Sequence, residues 1–256
     1  MPENLPRIAI PMPHSSDLEY AERAIPQYEA AVKLAGGEPV RIALGLPAPE
    51  ITKLIDGCDG VLLPGSNADL DPARFHSVRS SHTAAADIAR ETVDDLILQD
   101  AYHLRKPILG ICYGLQSLNV YNAGSLIQHI PDFLSEDMRA RVNHEAGKAV
   151  AVAHKVEIEN GSKLAEIIKD KGNVAPTIEG GLLVIPVNSS HHQSAETIGK
   201  GLRISARCAE DGIIEALEGT APDHFVLAVQ WHPERSVDRD EPSRAIFRAL
   251  IKAAKK

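Results

Sequence analysis

Apolar and polar positions alternate between two periods along the first half of the chain. Arg7-Ile8-Ala9-Ile10-Pro11 reads as a buried opening strand, and Tyr20 to Leu34 carries apolar residues at helical spacing that stop at Gly36-Gly37. Pro39-Val40-Arg41-Ile42 begins a second strand, Ile51 to Ile55 a short helix, and Gly60-Val61-Leu62-Leu63 an apolar strand that runs into the turn Pro64-Gly65. A polar, turn-rich stretch from Asn67 to Ser81 precedes a helical pattern over Thr83 to Leu104. Ile108-Leu109-Gly110-Ile111 is then a further buried strand, and helical spacing follows at once from Cys112 to Val120.

The second half is richer in strands. After a variable middle, Pro131 to Gly147, strand-like stretches fall around Ala149 to Ile158, Leu182 to Val187, Leu202 to Ala206, Ile213 to Leu217 and Phe225 to Gln230. Ser243 to Lys255 reads as a closing helix. Helices alternating with strands early and strands dominating later predict an α/β fold with a mixed sheet between helices. No repeat, low-complexity tract or linker interrupts residues 1–256, so one domain is expected.

Composition narrows the functional classes. Hydrophobic residues make up 44% and charged residues 24%, which suits a packed globular chain. The net charge of −8 comes without a lysine or arginine cluster, so neither nucleic acid nor an anionic membrane is an expected partner. The start lacks the basic and apolar runs of a signal peptide, and no run of about 18 apolar residues occurs. A cytoplasmic location is expected, and an assembly of like copies stays open.

Three cysteines, Cys58, Cys112 and Cys208, form neither a disulfide framework nor a zinc knuckle. Cys58 and Cys208 read as buried filler. Cys112 differs, because Gly110 and Gly114 flank it at the spacing of a nucleophile elbow between strand and helix. Such a position exposes the sulfur at the carboxyl edge of the sheet, and the helix start favours a thiolate and offers N–H groups to an oxyanion.

A cysteine nucleophile needs an oriented histidine. Of eleven histidines, His232 ends the strand Phe225 to Gln230 and is followed two residues later by Glu234. Alternation along an extended segment would put both side chains on one side, where the carboxylate would fix the imidazole. Gly65 and Ser66, in the turn after Val61 to Leu63, offer further backbone donors at the same edge. Asn188-Ser189-Ser190-His191-His192-Gln193 is a dense run of hydrogen-bonding groups suited to a polar pocket. Its adjacent histidines find no nearby Cys, Asp or Glu in sequence, so no metal is expected. His144-Glu145 lacks the second histidine of a zinc-protease helix, Gly199-Lys200 lacks the rest of a phosphate loop, and no dinucleotide fingerprint is present; no cofactor is expected.

Gly110-Ile111-Cys112-Tyr113-Gly114-Leu115-Gln116 and Val229-Gln230-Trp231-His232-Pro233-Glu234 resemble the two signature motifs of the class I glutamine amidotransferases. Within them the chain is similar to the γ-glutamyl-γ-aminobutyrate hydrolases of the peptidase C26 group. That narrower likeness rests on Leu63-Pro64-Gly65-Ser66 with Asp71-Pro72, Ser117 to Val120 with Gly124-Ser125-Leu126, Val187 to Gln193, and Asp211 to Ala216. The resemblance implies a flavodoxin-like three-layer α/β/α fold with a mixed, mostly parallel sheet, and a small-molecule γ-glutamyl substrate held as a thioester on Cys112. It further implies oxyanion donors at Tyr113 and at Gly65 and Ser66, and a glutamyl group held by Gln116, Ser190, His191 and His192. Tyr113, Ala123 and His129 stand where these hydrolases commonly have arginine, glycine and aspartate. A tyrosine after the cysteine is common in glutaminase domains, so a glutaminase subunit feeding ammonia to a synthase is the alternative.

Overall fold

The computed structural model describes residues 5–148, 150–169, 177–179 and 181–255. The first half contains β1 (Arg7–Pro11), α1 (Leu18–Leu34), β2 (Glu38–Ile42), α2 (Ala48–Asp56), β3 (Gly60–Leu63), α3 (Ile88–Leu104), β4 (Ile108–Ile111) and α4 (Tyr113–Tyr121). It continues through β5 (Leu126–Ile127), α5 (Ile130–Phe133), α6 (Glu136–Arg139), β6 (His154–Ile158), α7 (Lys163–Lys169), β7 (Thr177–Glu179) and β8 (Leu182–Val187). The last elements are β9 (Ser194–Ala195), β10 (Leu202–Cys208), β11 (Ile214–Gly219), β12 (Val226–Val229) and α8 (Glu241–Ala254).

Ten strands form one sheet in the order β2-β1-β3-β4-β12-β11-β10-β6-β8-β7. The five strands from β2 to β12 are parallel, and each later pairing is antiparallel. Strands β10 and β8 thereby return to the parallel direction, which gives a mixed sheet with most strands pointing one way. β3, β4 and β12 are buried along their whole length, as parallel strands covered on both faces must be.

Two apolar clusters fill the two sides. Ile25, Tyr28 and Val32 of α1, Leu164 and Ile168 of α7, and Phe247 and Leu250 of α8 pack in one. Ile51 and Ile55 of α2, Val93 and Ile97 of α3, and Leu115 and Leu118 of α4 pack in the other. The result is the expected α/β/α layering.

Local chemistry sets the ends of the elements. The helix expected from Thr83 starts only at Ile88, because the Asp87 carboxylate accepts the Arg90 N–H and caps it there. The strand expected from Ala149 begins at His154; Ala149 itself lies outside the described residues. Three short helices, α5, α6 and α7, the strand β7 and the two-stranded β5–β9 pair have no counterpart among the expected elements. Among the described residues no helix is long and apolar enough to cross a membrane.

Candidate active site

Strands β3, β4 and β12 are neighbours in the parallel half, so the turns after them open on one edge of the sheet. They carry Gly65 and Ser66, Cys112, and His232. β8 runs in the same direction, and the turn after it brings Ser190, His191 and His192 to the same edge. All of these except Gly65 line a cleft of about 410 Å³ together with Tyr20, Asp69, Gln116 and Arg235.

Cys112 sits on a sharp turn with φ 54° and ψ −108°, a conformation that side chains other than glycine rarely adopt. The turn is enforced from both sides. A β-carbon on Gly114 would lie 2.1 Å from the Leu63 carbonyl oxygen, and one on Gly110 would lie 2.8 Å from the Gly114 carbonyl oxygen. The Cys112 N–H donates to the Val229 carbonyl at 2.8 Å, which locks the elbow to β12. As the first residues of α4, Tyr113 and Gly114 have N–H groups without an intrahelical acceptor.

His232 Nδ1 lies 2.7 Å from Glu234 Oε1, with both side chains buried. The contact is not made along an extended segment as expected. Pro233 to Arg235 form a single tight 3-10 turn, which Pro233 favours at its first position, and the turn folds Glu234 back under the ring. Burial alone would lower the His232 pKa, but the Glu234 carboxylate and the Cys112 sulfur outweigh it and hold it at about 9. Asn188 grips the backbone of His232 from both sides: its Nδ2 donates to the His232 carbonyl and its Oδ1 accepts the His232 N–H, each at 2.9 Å.

The other predicted site residues divide. A β-carbon on Gly65 would stand 3.0 Å from His232 Cε1 and 3.6 Å from Cys112 Cβ, so its backbone borders both side chains. The Gly65 N–H, however, donates to Tyr28 Oη at 3.0 Å. Gln116 is buried in the cleft wall and donates to the Gln193 carbonyl at 3.2 Å. Ser190 Oγ accepts from Arg235 at 2.9 Å. His191 is turned inward: its Nδ1 meets the Gln193 carbonyl at 2.8 Å and its Nε2 faces Glu215. His192 pairs with Asp69 at 3.1 Å and approaches His129.

The Tyr113 side chain does not enter the cleft. Its ring is 1% exposed and lies under the Arg90 guanidinium, 4.8 Å from carbon to centroid. Arg90 is itself fully buried, paired with Asp94 at 2.8 Å, and donates to the carbonyls of Pro13 and Pro64. It thereby fixes the turns after β1 and β3, a positioning role that no local motif announces. Arg235 and Asn188 escaped notice as positioning groups for the same reason. Cys58 and Cys208 are buried free thiols, and burial raises both pKa values, that of Cys58 to about 11.

The profile of the peptidase C26 family matches residues 8–234. A glutamine amidotransferase-like protein of Rickettsia prowazekii is 34% identical over 89% of this chain and 88% of its own length. Gamma-glutamyl-gamma-aminobutyrate hydrolase PuuD of Escherichia coli is 32% identical over 89% of this chain and 84% of its own. Among solved structures, the glutaminase domain of Trypanosoma brucei CTPS superposes with a TM-score of 0.61 at 19% identity, covering 97% of this chain and 93% of that one.

Proposed function

The chain belongs to the peptidase C26 family, and from that premise we propose that it is a hydrolase of γ-glutamyl amides acting through Cys112, His232 and Glu234. The observation that carries the reading is the buried His232–Glu234 pair set beside a cysteine on a strained elbow at the carboxyl edge of the sheet. The Cys112 thiolate attacks the γ-carbonyl, and the resulting oxyanion is received by the N–H of Tyr113 and by the Gly65 and Ser66 turn. Because the Gly65 N–H is held by Tyr28, the Ser66 N–H is the readier donor of that turn. His232 gives its proton to the departing amine, and water then cleaves the thioester to release glutamate.

The cleft suits such a substrate. Arg23, Arg235, Asp69 and Glu145 all line it, so both signs of charge are offered to the α-carboxylate and α-ammonium of a glutamyl group. Gln116 and Ser190 add uncharged donors and acceptors to the lining. The amine would be γ-aminobutyrate or a related amine, as for the Escherichia coli relative. Tyr113 does not favour the glutaminase alternative, since its ring lies beneath Arg90 and outside the cleft.

A panel of glutamine, γ-glutamyl-γ-aminobutyrate, other γ-glutamyl amines and γ-glutamyl peptides tests the reading, with the acyl-enzyme followed by intact mass. A γ-glutamyl adduct on Cys112 and turnover of the amines are expected. Turnover that survives Cys112→Ala would sink the proposal.

A further inference from the structure

Behind the turn 188–193, four buried side chains outside the proposed chemistry converge on one point. His144 Nδ1, His154 Nε2 and His191 Nε2 lie 3.2, 3.3 and 3.4 Å from a single atom, Glu215 Oε1. All four residues are at most 5% exposed. None of these four atoms, nor Glu215 Oε2, has a hydrogen-bond partner among the described residues. Buried polar atoms are normally paired, so five unpaired ones in one place require a cause.

The outer nitrogens supply it. His191 Nδ1 faces the Gln193 carbonyl at 2.8 Å, and His154 Nδ1 faces the Lys155 carbonyl at 3.2 Å. A carbonyl only accepts, so in each neutral ring the outer nitrogen carries the hydrogen and the inner one presents a lone pair. His144 Nε2 likewise meets Asp211 Oδ2 at 2.8 Å. The inner lone pairs of His154 and His191, both aimed at one carboxylate oxygen, repel it unless a cation stands between them. A histidine whose far nitrogen is held by a carboxylate or backbone carbonyl is the usual arrangement of a metal ligand.

We propose that His144, His154, His191 and Glu215 bind one divalent transition-metal ion, with zinc as the best match to three imidazoles and a carboxylate. A tetrahedral zinc site with bonds of about 2.0–2.1 Å has ligand-to-ligand edges of about 3.3–3.4 Å, and the three nitrogen–oxygen separations fall at that length. The charges of Glu215 and Asp211 balance a divalent ion. Four protein ligands in a buried pocket leave no open position, so the ion is structural. It pins the turn that carries Ser190 and Gln193 to β6 and β11, and so holds one wall of the cleft. Sequence spacing conceals the set, because the adjacent His191 and His192 point apart and the completing residues come from three other segments.

The test uses the full chain carrying Cys112→Ala, which removes the cleft thiol as a competing ligand. After chelator treatment, zinc is titrated against a chromophoric competitor and cobalt is followed by its visible absorption. One equivalent of zinc and a tetrahedral cobalt spectrum without a thiolate band are expected. Adding Asp211→Asn should weaken binding by roughly 10- to 100-fold, and adding His154→Ala should weaken it further. No stoichiometric uptake would overturn the proposal. So would uptake unchanged by His154→Ala, which would point to the exposed group His82, His129 and Asp132, or a thiolate band, which would point to Cys208 beside His144 and Asp211. If His154→Ala fails to fold, the cobalt spectrum of the Cys112→Ala chain decides alone.

Discussion

At Cys112 the backbone is held where a β-carbon is unwelcome, at φ 54° and ψ −108°, a strain of about 1–3 kcal/mol. Substitutions there should invert the usual order of glycine and alanine. Cys112→Gly is expected to unfold at higher urea than Cys112→Ala, by about 1 kcal/mol, with both variants inactive; the opposite order would mean that the elbow is not strained. A second consequence concerns charge. Glu234 and the Cys112 sulfur favour the protonated imidazole of His232, so the proton it would give to the leaving amine is lost only as pH rises through about 9. The kcat/KM profile should therefore fall on its alkaline side near pH 9. Glu234→Gln removes the carboxylate that favours the imidazolium and should move that fall to lower pH, whereas an unmoved limb would detach Glu234 from the titration. The strained elbow at Cys112 and the His232–Glu234 pair were legible because glycine spacing and a terminal His-Pro-Glu betray them locally. Asn188, Arg235 and Arg90 were not, since each acts on groups far away in sequence, Asn188 and Arg90 on backbone and Arg235 on the Ser190 hydroxyl.

Helix α4 shows what an element adds. It ends in a Schellman turn, with the Gly124 N–H donating to the Asn119 carbonyl and the Ala123 N–H to the Val120 carbonyl, each at 2.9 Å. Ala123 occupies the left-handed position, at φ 64°, where similar hydrolases commonly have glycine. Left-handed backbone costs a non-glycine residue about 1–2 kcal/mol, and the extra freedom of glycine in the unfolded chain returns part of that. Ala123→Gly should stabilise the protein by about 0.5–1 kcal/mol, read as a shift of the urea midpoint at constant slope; destabilisation would mean that the methyl group packs better than the turn is strained. The long amphipathic helices and the all-apolar strands β3 and β4 were readable because periodicity accumulates over a buried face. α5, α6 and α7 were not, since four to seven residues give too little of a helical period.

Across the whole molecule, β12 is the seam: it is parallel to β4 on one side and antiparallel to β11 on the other. The parallel half supplies Cys112 and Ser66, the antiparallel half supplies the turn 188–193, and the seam strand delivers His232 between them. Alternating helices and strands made the parallel half legible, while the strands of the other half, β7 apart, were visible as elements whose pairing order no local pattern encodes. Both walls of the cleft and all three proposed reactive residues come from one chain, so activity is expected not to depend on a second copy. Specific activity toward the best γ-glutamyl amine should then stay constant when the enzyme is diluted about a hundredfold, far enough to shift a micromolar association to monomers. Activity that falls on dilution and returns on concentration would show that a second subunit completes or braces the cleft, and size-exclusion chromatography at both concentrations would identify the species responsible.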